Sequence, residues 1–244
     1  MSGPREQTGV RRILLKLSGE ALMGNQGFGI SQDMLDYVRV EIAEAIDLGA
    51  QIGIVVGGGN FFRGVAGAAQ NMDRVSGDQI GMLATAMNAL AVAENLNRND
   101  IGAAVLSSIQ LGSFTEMFSR RLADHYLDSG KVVVFAAGTG NPFFTTDTAA
   151  SLRAVEIGAD VLLKATQVDG VYDSDPKTNP DAKRYDEIDF DEVLNRQLGV
   201  MDLTAITLCR ENNMPVRVFA LRSSGALGRI LRGEQEGTLV TAAG

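Results

Sequence analysis

The 244 residues carry a formal charge of −8, with 45% apolar and 21% charged side chains; this is the balance of an ordinary globule with enough chain to bury a sizeable core. The acidic excess argues against a nucleic-acid partner, which needs a basic face to displace counterions, and no apolar run approaches the ~20 residues that cross a bilayer. One cysteine and one histidine exclude an internal disulfide framework, a multi-histidine metal site and a conventional Ser-His-Asp triad, and suit a reducing cytoplasm.

Residues 1–10 lack the apolar core of a signal peptide and read as a flexible tail ahead of one domain over 11–244. A short apolar strand is expected at 13–17. Ser31 is placed to cap a helix over 32–48, whose Met34, Leu35, Val38, Ile42, Ala45 and Ile46 recur on one face and whose stop is Gly49. A second strand, 51–56, runs into Gly57-Gly58-Gly59. Asp78 opens a long helix over 78–97, apolar nearly all round through Met82, Leu83, Met87, Leu90 and Leu96; it must face the core or another subunit.

A strand at 103–106, a helix at 117–129 carrying His125 on a polar face, and a strand at 131–137 follow. Beyond a threonine-rich loop, a helix runs through 149–157 to Gly158, and a strand is expected at 161–165. Asp189 and Glu192 form the capping-box pair of a helix over 190–197. A helix at 204–213 buries Cys209 as a small core residue and ends at Pro215. A strand at 216–220, a helix at 226–232 and a strand at 238–241 complete the chain. Strands spaced by helices imply right-handed crossovers and an α/β fold with a mainly parallel sheet covered on both faces. The longest irregular stretch, 169–187, is long enough to carry function.

The most informative segment is Gly138-Thr139-Gly140-Asn141-Pro142-Phe143-Phe144-Thr145-Thr146-Asp147-Thr148, directly after an apolar strand. Glycines, hydroxyls and backbone N–H groups abound, with a single charge. In a parallel α/β sheet ligands sit where strands end and helices begin, so this loop is suited to a small polar or anionic ligand. Two lysines, Lys16 and Lys164, interrupt apolar strands near their ends. Each either snorkels outward or meets a counter-charge; if the strands are parallel, both ammonium groups gather at one sheet edge, where phosphoryl charge is neutralised. The glycine triplet, followed by Asn60-Phe61-Phe62-Arg63, either makes a tight turn or wraps an anion that Arg63 grips with its planar fork. Its spacing is neither a Walker A motif nor a dinucleotide fingerprint. Asp78 and Asp147 read as helix caps, and Tyr172 is placed to cover a flat base.

Taken together, Leu15-Lys16-Leu17-Ser18-Gly19-Glu20, the glycine triplet through Arg63, the threonine loop and Lys164-Ala165-Thr166-Gln167-Val168-Asp169-Gly170-Val171-Tyr172 resemble bacterial uridylate kinases of the amino-acid kinase superfamily. The likeness spans roughly residues 11–241, and its threonine loop is the most specific part. The resemblance implies a three-layer αβα sandwich of the carbamate kinase-like type and transfer of the ATP γ-phosphoryl to UMP with Mg²⁺, in pyrimidine nucleotide biosynthesis.

By the same resemblance Lys16, Leu17, Ser18, Gly19, Gly59, Arg63, Thr166, Tyr172 and Asp175 would contact ATP. Gly58, Asp78, Thr139, Gly140, Asn141, Pro142, Phe143, Phe144, Thr145 and Thr146 would hold UMP. Lys16 and Lys164 would stabilise the moving phosphoryl and Asp147 would organise the site; no metal ligand from the protein is implied. A homohexamer is also implied, with GTP as activator, through the segment from Gly24 to Gly29, and UTP as inhibitor. Gln79 stands where many relatives carry a histidine, and the helix through Ala93 and Asn97 lacks the basic residues some relatives have. Two rival readings share these features: a superfamily kinase acting on a carboxylate or carbamate, and a non-catalytic nucleotide-binding assembly.

Overall fold

The computed structural model describes residues 11–62, 72–176 and 178–242. The expected tail at 1–10 and Arg63 lie outside the described residues. The order begins β1(Arg12–Leu17), α1(Gly19–Met23), α2(Gln32–Asp47), β2(Gln51–Val56), α3(Arg74–Asn97) and β3(Ala103–Ser107). It continues β4(Glu116–Met117), α4(Arg120–Asp128), β5(Val132–Ala136), α5(Thr146–Glu156), β6(Val161–Thr166) and β7(Glu187–Asp189). It ends α6(Phe190–Asn195), α7(Leu203–Glu211), β8(Val216–Ala220), α8(Ala226–Leu231) and β9(Thr238–Thr241).

The nine strands of the described residues join one sheet in the order β4-β3-β5-β2-β1-β6-β8-β9-β7. From β4 to β8 every neighbouring pair is parallel, and only β8 with β9 is antiparallel. The β-branched strands are buried on both faces, as a helix-covered parallel sheet requires. Strand alternation then divides the core in two. Ile13, Leu15 and Leu17 of β1, with Leu163 and Ala165 of β6, pack beneath α2, α3 and α8. Leu14 and Leu162 face the opposite layer, with Ala149, Ala150 and Ala154 of α5 and Ile206 and Cys209 of α7. These are the three layers of an αβα sandwich. By the same period-two rule Lys16 and Lys164 fall on the α5 face, and this parity decides where the site forms.

Several boundaries depart from the sequence expectation. The long helix starts at Arg74, capped by Asp73, whose carboxylate accepts from the Ser76 N–H at 3.2 Å; Asp78 is therefore a turn inside α3 and not its opener. Met117 belongs to edge strand β4, and the following helix starts at Arg120 behind Ser119. Ser31 occupies the N-cap of α2 without a side-chain cap bond. Asp189 caps α6 through the Glu192 N–H, but the Glu192 carboxylate turns to Arg196 at 2.8 Å, so the box is one-sided. The short elements α1, β4 and β7 carry too few residues to show a period.

Helix α3 remains apolar beyond its buried side: Leu83 and Met87 are about half exposed, at 50% and 47%, and Ile80 is also open. No described helix is long and apolar enough to cross a membrane. His125 is exposed. Cys209 is fully buried, and burial pushes its thiol up to about 11, so it is an inert core residue.

Beneath α8, the buried Glu41 carboxylate accepts from the Gly225 N–H at 2.6 Å and the Leu227 N–H at 3.3 Å. It supplies the acceptor that a glycine N-cap lacks. Replacing Glu41 by Ala is expected to lower the unfolding free energy by about 2–3 kcal/mol, the scale of hydrogen bonds to a charged group, measured by urea denaturation.

Candidate active site

The parallel register sets Lys16 directly beside Lys164. Both side chains rise on the α5 face, and both end on one carboxylate: Lys16 Nζ is 2.8 Å from Asp147 Oδ1, and Lys164 Nζ is 2.7 Å from Oδ2. The first contact is an ion pair without hydrogen-bond alignment; the second is a directed hydrogen bond. Lys164 also donates to the Val200 carbonyl. Asp147 lies in the first turn of α5, whose cap is Thr145. The reading of Asp147 as a cap is thus corrected: Thr145 Oγ1 accepts from the Asp147 and Thr148 N–H groups, leaving the Asp147 carboxylate to the lysines.

Burial by itself would raise the Asp147 pKa, but Lys16 and Lys164 together outweigh it and hold the carboxyl below its ordinary value. Burial and, more weakly, the neighbouring Lys16 lower the Lys164 ammonium against the pull of Asp147. Two cations on one anion leave the triad one positive charge in excess. Desolvated charge of this kind is costly unless further partners complete it.

Three bare backbone turns surround the triad at the C-terminal edge of the sheet. Ser18 caps α1, accepting from the Ala21 N–H at 3.1 Å. A Cβ on Gly19 would lie 2.7 Å from the Gly59 nitrogen and 2.8 Å from the Gly57 carbonyl, so the turns after β1 and β2 touch without room for a side chain. Gly58 is pressed equally hard on α3, its Cβ position 2.8 Å from Ala84. The third turn is the threonine loop.

Between that loop, the glycine turn and α3 opens a cleft of about 330 Å³. Gly58, Gly59, Asp78, Thr139, Asn141, Phe144, Thr145 and Thr146 stand in its walls. Gly140 takes a left-handed conformation, φ +79, with Ser108 against its α-carbon. Phe143 is also left-handed, φ 72, and its N–H donates to Asp78 Oδ2 at 2.7 Å. Arg74 Nε donates to the same oxygen at 2.8 Å. Asp78 therefore latches the loop tip to α3. Pro142 and Phe143 lie in the loop beside the cleft and not among its walls.

The remaining expected residues lie on the other side of the lysines. Thr166 ends β6, its hydroxyl donating to the Val168 carbonyl at 2.6 Å. Tyr172 donates to Asp169 at 2.6 Å, and its backbone bridges to Arg184. Asp175 is in the same loop, its carbonyl accepting from the Thr178 and Asn179 N–H groups. The structure thus brings together the β1 turn, the glycine turn, the threonine loop and both lysines, with the β6 loop set apart on the far side.

Three supporting side chains escape sequence reasoning. Asp202, the cap of α7, accepts from the Thr145 and Thr148 hydroxyls and from the Ala205 N–H; it ties the base of the threonine loop to the next helix. Ser108 donates to the Gly138 carbonyl at 2.7 Å and accepts from Arg153 at 2.8 Å. Arg153 is itself buried, stacked 3.8 Å above the Phe118 ring. Only Asp202 leaves a trace in the sequence, as an Asp just before a helical period.

The sequence profile of the amino acid kinase family matches residues 11–220, and the chain belongs to that family. The chain is similar to the uridylate kinase of Pseudomonas fluorescens, 56% identical over 238 residues that cover 98% of this chain and 96% of the relative. It is equally similar to that of Pseudomonas aeruginosa, 56% identical over 94% of each. Among solved structures, the UMP kinase of Bacillus anthracis superposes with a TM-score of 0.93 at 39% identity, covering 96% of this chain and 97% of its own. Within the family, the chain belongs with the uridylate kinases.

Asp147→Asn is expected to cost about 3–5 kcal/mol by stranding two buried ammonium groups. The acid limb of the pH dependence should then disappear. In the unaltered protein the lowered carboxyl stabilises fully above 3.8, its unfolded value, and this is lost as pH falls through the folded value. In the variant Lys164, lowered by burial, loses the carboxylate that opposed that shift, so stability should rise with pH toward the lysine value of 10.5 over a wider window than before. Urea titrations at several pH values measure both.

Proposed function

We propose that this chain is an ATP:UMP phosphotransferase, forming UDP and ADP. The observation that carries this reading is the convergence of Lys16 and Lys164 on Asp147 beside the threonine-loop cleft; the uridylate kinase relatives supply the substrate pair. UMP occupies the cleft between Asp78 and Thr139–Thr146, with Gly58 at its phosphate. ATP lies across the β1 turn (Lys16, Leu17, Ser18, Gly19), Gly59, Arg63 and the β6 loop with Thr166, Tyr172 and Asp175. The two phosphates then meet over the lysines.

A UMP phosphate oxygen forms the new bond to the γ-phosphorus as the bridging bond to ADP breaks. A phosphate monoester is already mostly dianionic at neutral pH, so no side chain need act as base. Rate comes from positioning and charge. Lys16 and Lys164 hold the equatorial oxygens of the moving group, and its charge completes the triad's excess positive charge. Asp147 aims both ammonium groups, and the N–H groups at the start of α5 add partial positive charge.

Mg²⁺ fits this donor set as a companion of the phosphates. Both Asp147 oxygens face lysines, and no group of three metal-binding side chains occurs among the described residues. Bound with ATP it would neutralise phosphate charge, with phosphate oxygens and water as its ligands.

We further propose a single kinase domain over 11–244 in a cytoplasmic homohexamer, with GTP as activator and UTP as inhibitor. The exposed stripe of Ile80, Leu83 and Met87 supports a subunit contact. Gly29, at the end of the segment implicated in GTP response, exchanges hydrogen bonds with Asn60 of the glycine turn. The charge of −8 supports the absence of a nucleic-acid partner.

ADP release is expected with UMP and not with N-acetylglutamate; turnover of the carboxylate alone would overturn the assignment. Lys16→Ala should lower kcat by about 10²–10³-fold, the scale of losing one charge stabiliser, while calorimetry still detects UMP binding. Replacing Leu83 and Met87 together by Glu should reduce the mass measured by light scattering while leaving far-UV circular dichroism unchanged.

A further inference from the structure

Asn88 stands in the middle of α3 with no exposed surface. A carboxamide buried there is costly unless each polar atom finds a partner, and here each does. Its Nδ2 donates to the Gly57 carbonyl at 2.6 Å and to Asn60 Oδ1 at 2.7 Å, while its Oδ1 accepts from Asn60 Nδ2 at 2.9 Å. Asn60, also buried, directs its other amide hydrogen to the Gly29 carbonyl at 2.8 Å. The two side chains close a network of a kind that selects one geometry over its neighbours.

The network acts on the part of the glycine turn where direction matters. A backbone anion site needs N–H groups turned toward the ligand and carbonyls turned away. Between two glycines a peptide rotates with little steric resistance, and the Gly57 carbonyl is the group that would repel a phosphate if it turned over. In a planar trans peptide the carbonyl and the following N–H point in opposite directions. By holding the Gly57 carbonyl against α3, Asn88 therefore aims the Gly58 N–H away from that helix. The same pair abuts the β1 turn, for a Cβ on Gly19 would fall 2.5 Å from Asn60 Oδ1. One amide pair thus sits behind both turns that flank the lysines.

We propose that Asn88, acting through Gly57 and Asn60, is a positioning residue for phosphoryl transfer: it sets the direction of the Gly57–Gly58 peptide and the seating of the β1 turn. This rests on the phosphotransferase reading given above. Loss of Asn88 should misdirect donors at the reacting phosphates while leaving the walls of the nucleotide sites in place, so kcat should fall much more than either KM rises.

The test compares Asn88→Leu, similar in size but without polar atoms, with the unaltered protein by ADP release, circular dichroism and thermal unfolding. The expected result is a folded protein whose kcat falls about 10²-fold, the cost of losing one preorganised donor, with the KM values for UMP and ATP moved by less than the kcat. Asn88→Ala, which leaves space for water, should show the same split and stands in if the leucine variant does not fold. A folded variant of either kind with unaltered kcat overturns the proposal, as does a loss confined to KM. Backbone hydrogen exchange over 57–62 gives a readout independent of UMP. A nonhydrolysable ATP analogue should protect this segment in the unaltered protein and much less in the variant; equal protection overturns the proposal. Failure of the functional reading shows separately, as absence of ADP release from the unaltered protein.

Discussion

Two lysine ammonium groups share one aspartate at the C-terminal edge of a parallel sheet, and the rest of the site is arranged around that fact. Lys16 and Lys164 are neighbours in register on β1 and β6, and strand parity sends both toward α5. Asp147, in the first turn of α5, meets both within 2.8 Å. Three charges are withdrawn from water at once, a costly arrangement that good geometry and added partners offset. Asp147 compensates one lysine, and the phosphotransferase reading proposed above gives the remaining charge an anionic phosphoryl group as its partner.

The surrounding turns are held by side-chain braces, of which only Asp78 also faces the proposed UMP. Asp202 fixes the hydroxyls of Thr145 and Thr148. Ser108, backed by Arg153, fixes the Gly138 carbonyl, and Asp78 holds the loop tip through the Phe143 N–H. Each brace starts from a helix or from a strand end, so the flexible glycines are flexible only in composition. Rigid support of this kind keeps the reacting groups aligned, which is the main contribution a protein makes to phosphoryl transfer.

How much was legible beforehand follows from the range of each signal. The buried strands, the helix over 32–48 and the threonine loop leading into a helix are readable because their patterns lie within a few residues. The nearness of Lys16 to Lys164 was readable as a consequence of parallel pairing, once alternating strands and helices had suggested it. In the sequence Asp78 and Asp147 look like caps, because an Asp beside a helical period looks alike in either role. Only the true starts, Arg74 behind Asp73 and Thr146 behind Thr145, freed both carboxylates for distant partners. Met117 looks helical in the sequence because a two-residue edge strand has no period of its own.

The sequence by itself determined the αβα layering, the glycine and threonine turns at strand ends, and the likeness to uridylate kinases, because periodicity, turn chemistry and motif order are local properties of the chain. Tertiary structure alone decided that Asp147 bridges the two lysines, that Ser108 and Arg153 brace Gly138, and that Asn88 and Asn60 close on each other behind the glycine turn. Those pairings join residues 17 to 131 positions apart. No local pattern encodes them: they exist only because sheet order and strand parity bring distant polar atoms within hydrogen-bond reach inside a core where none can be left unpaired without cost.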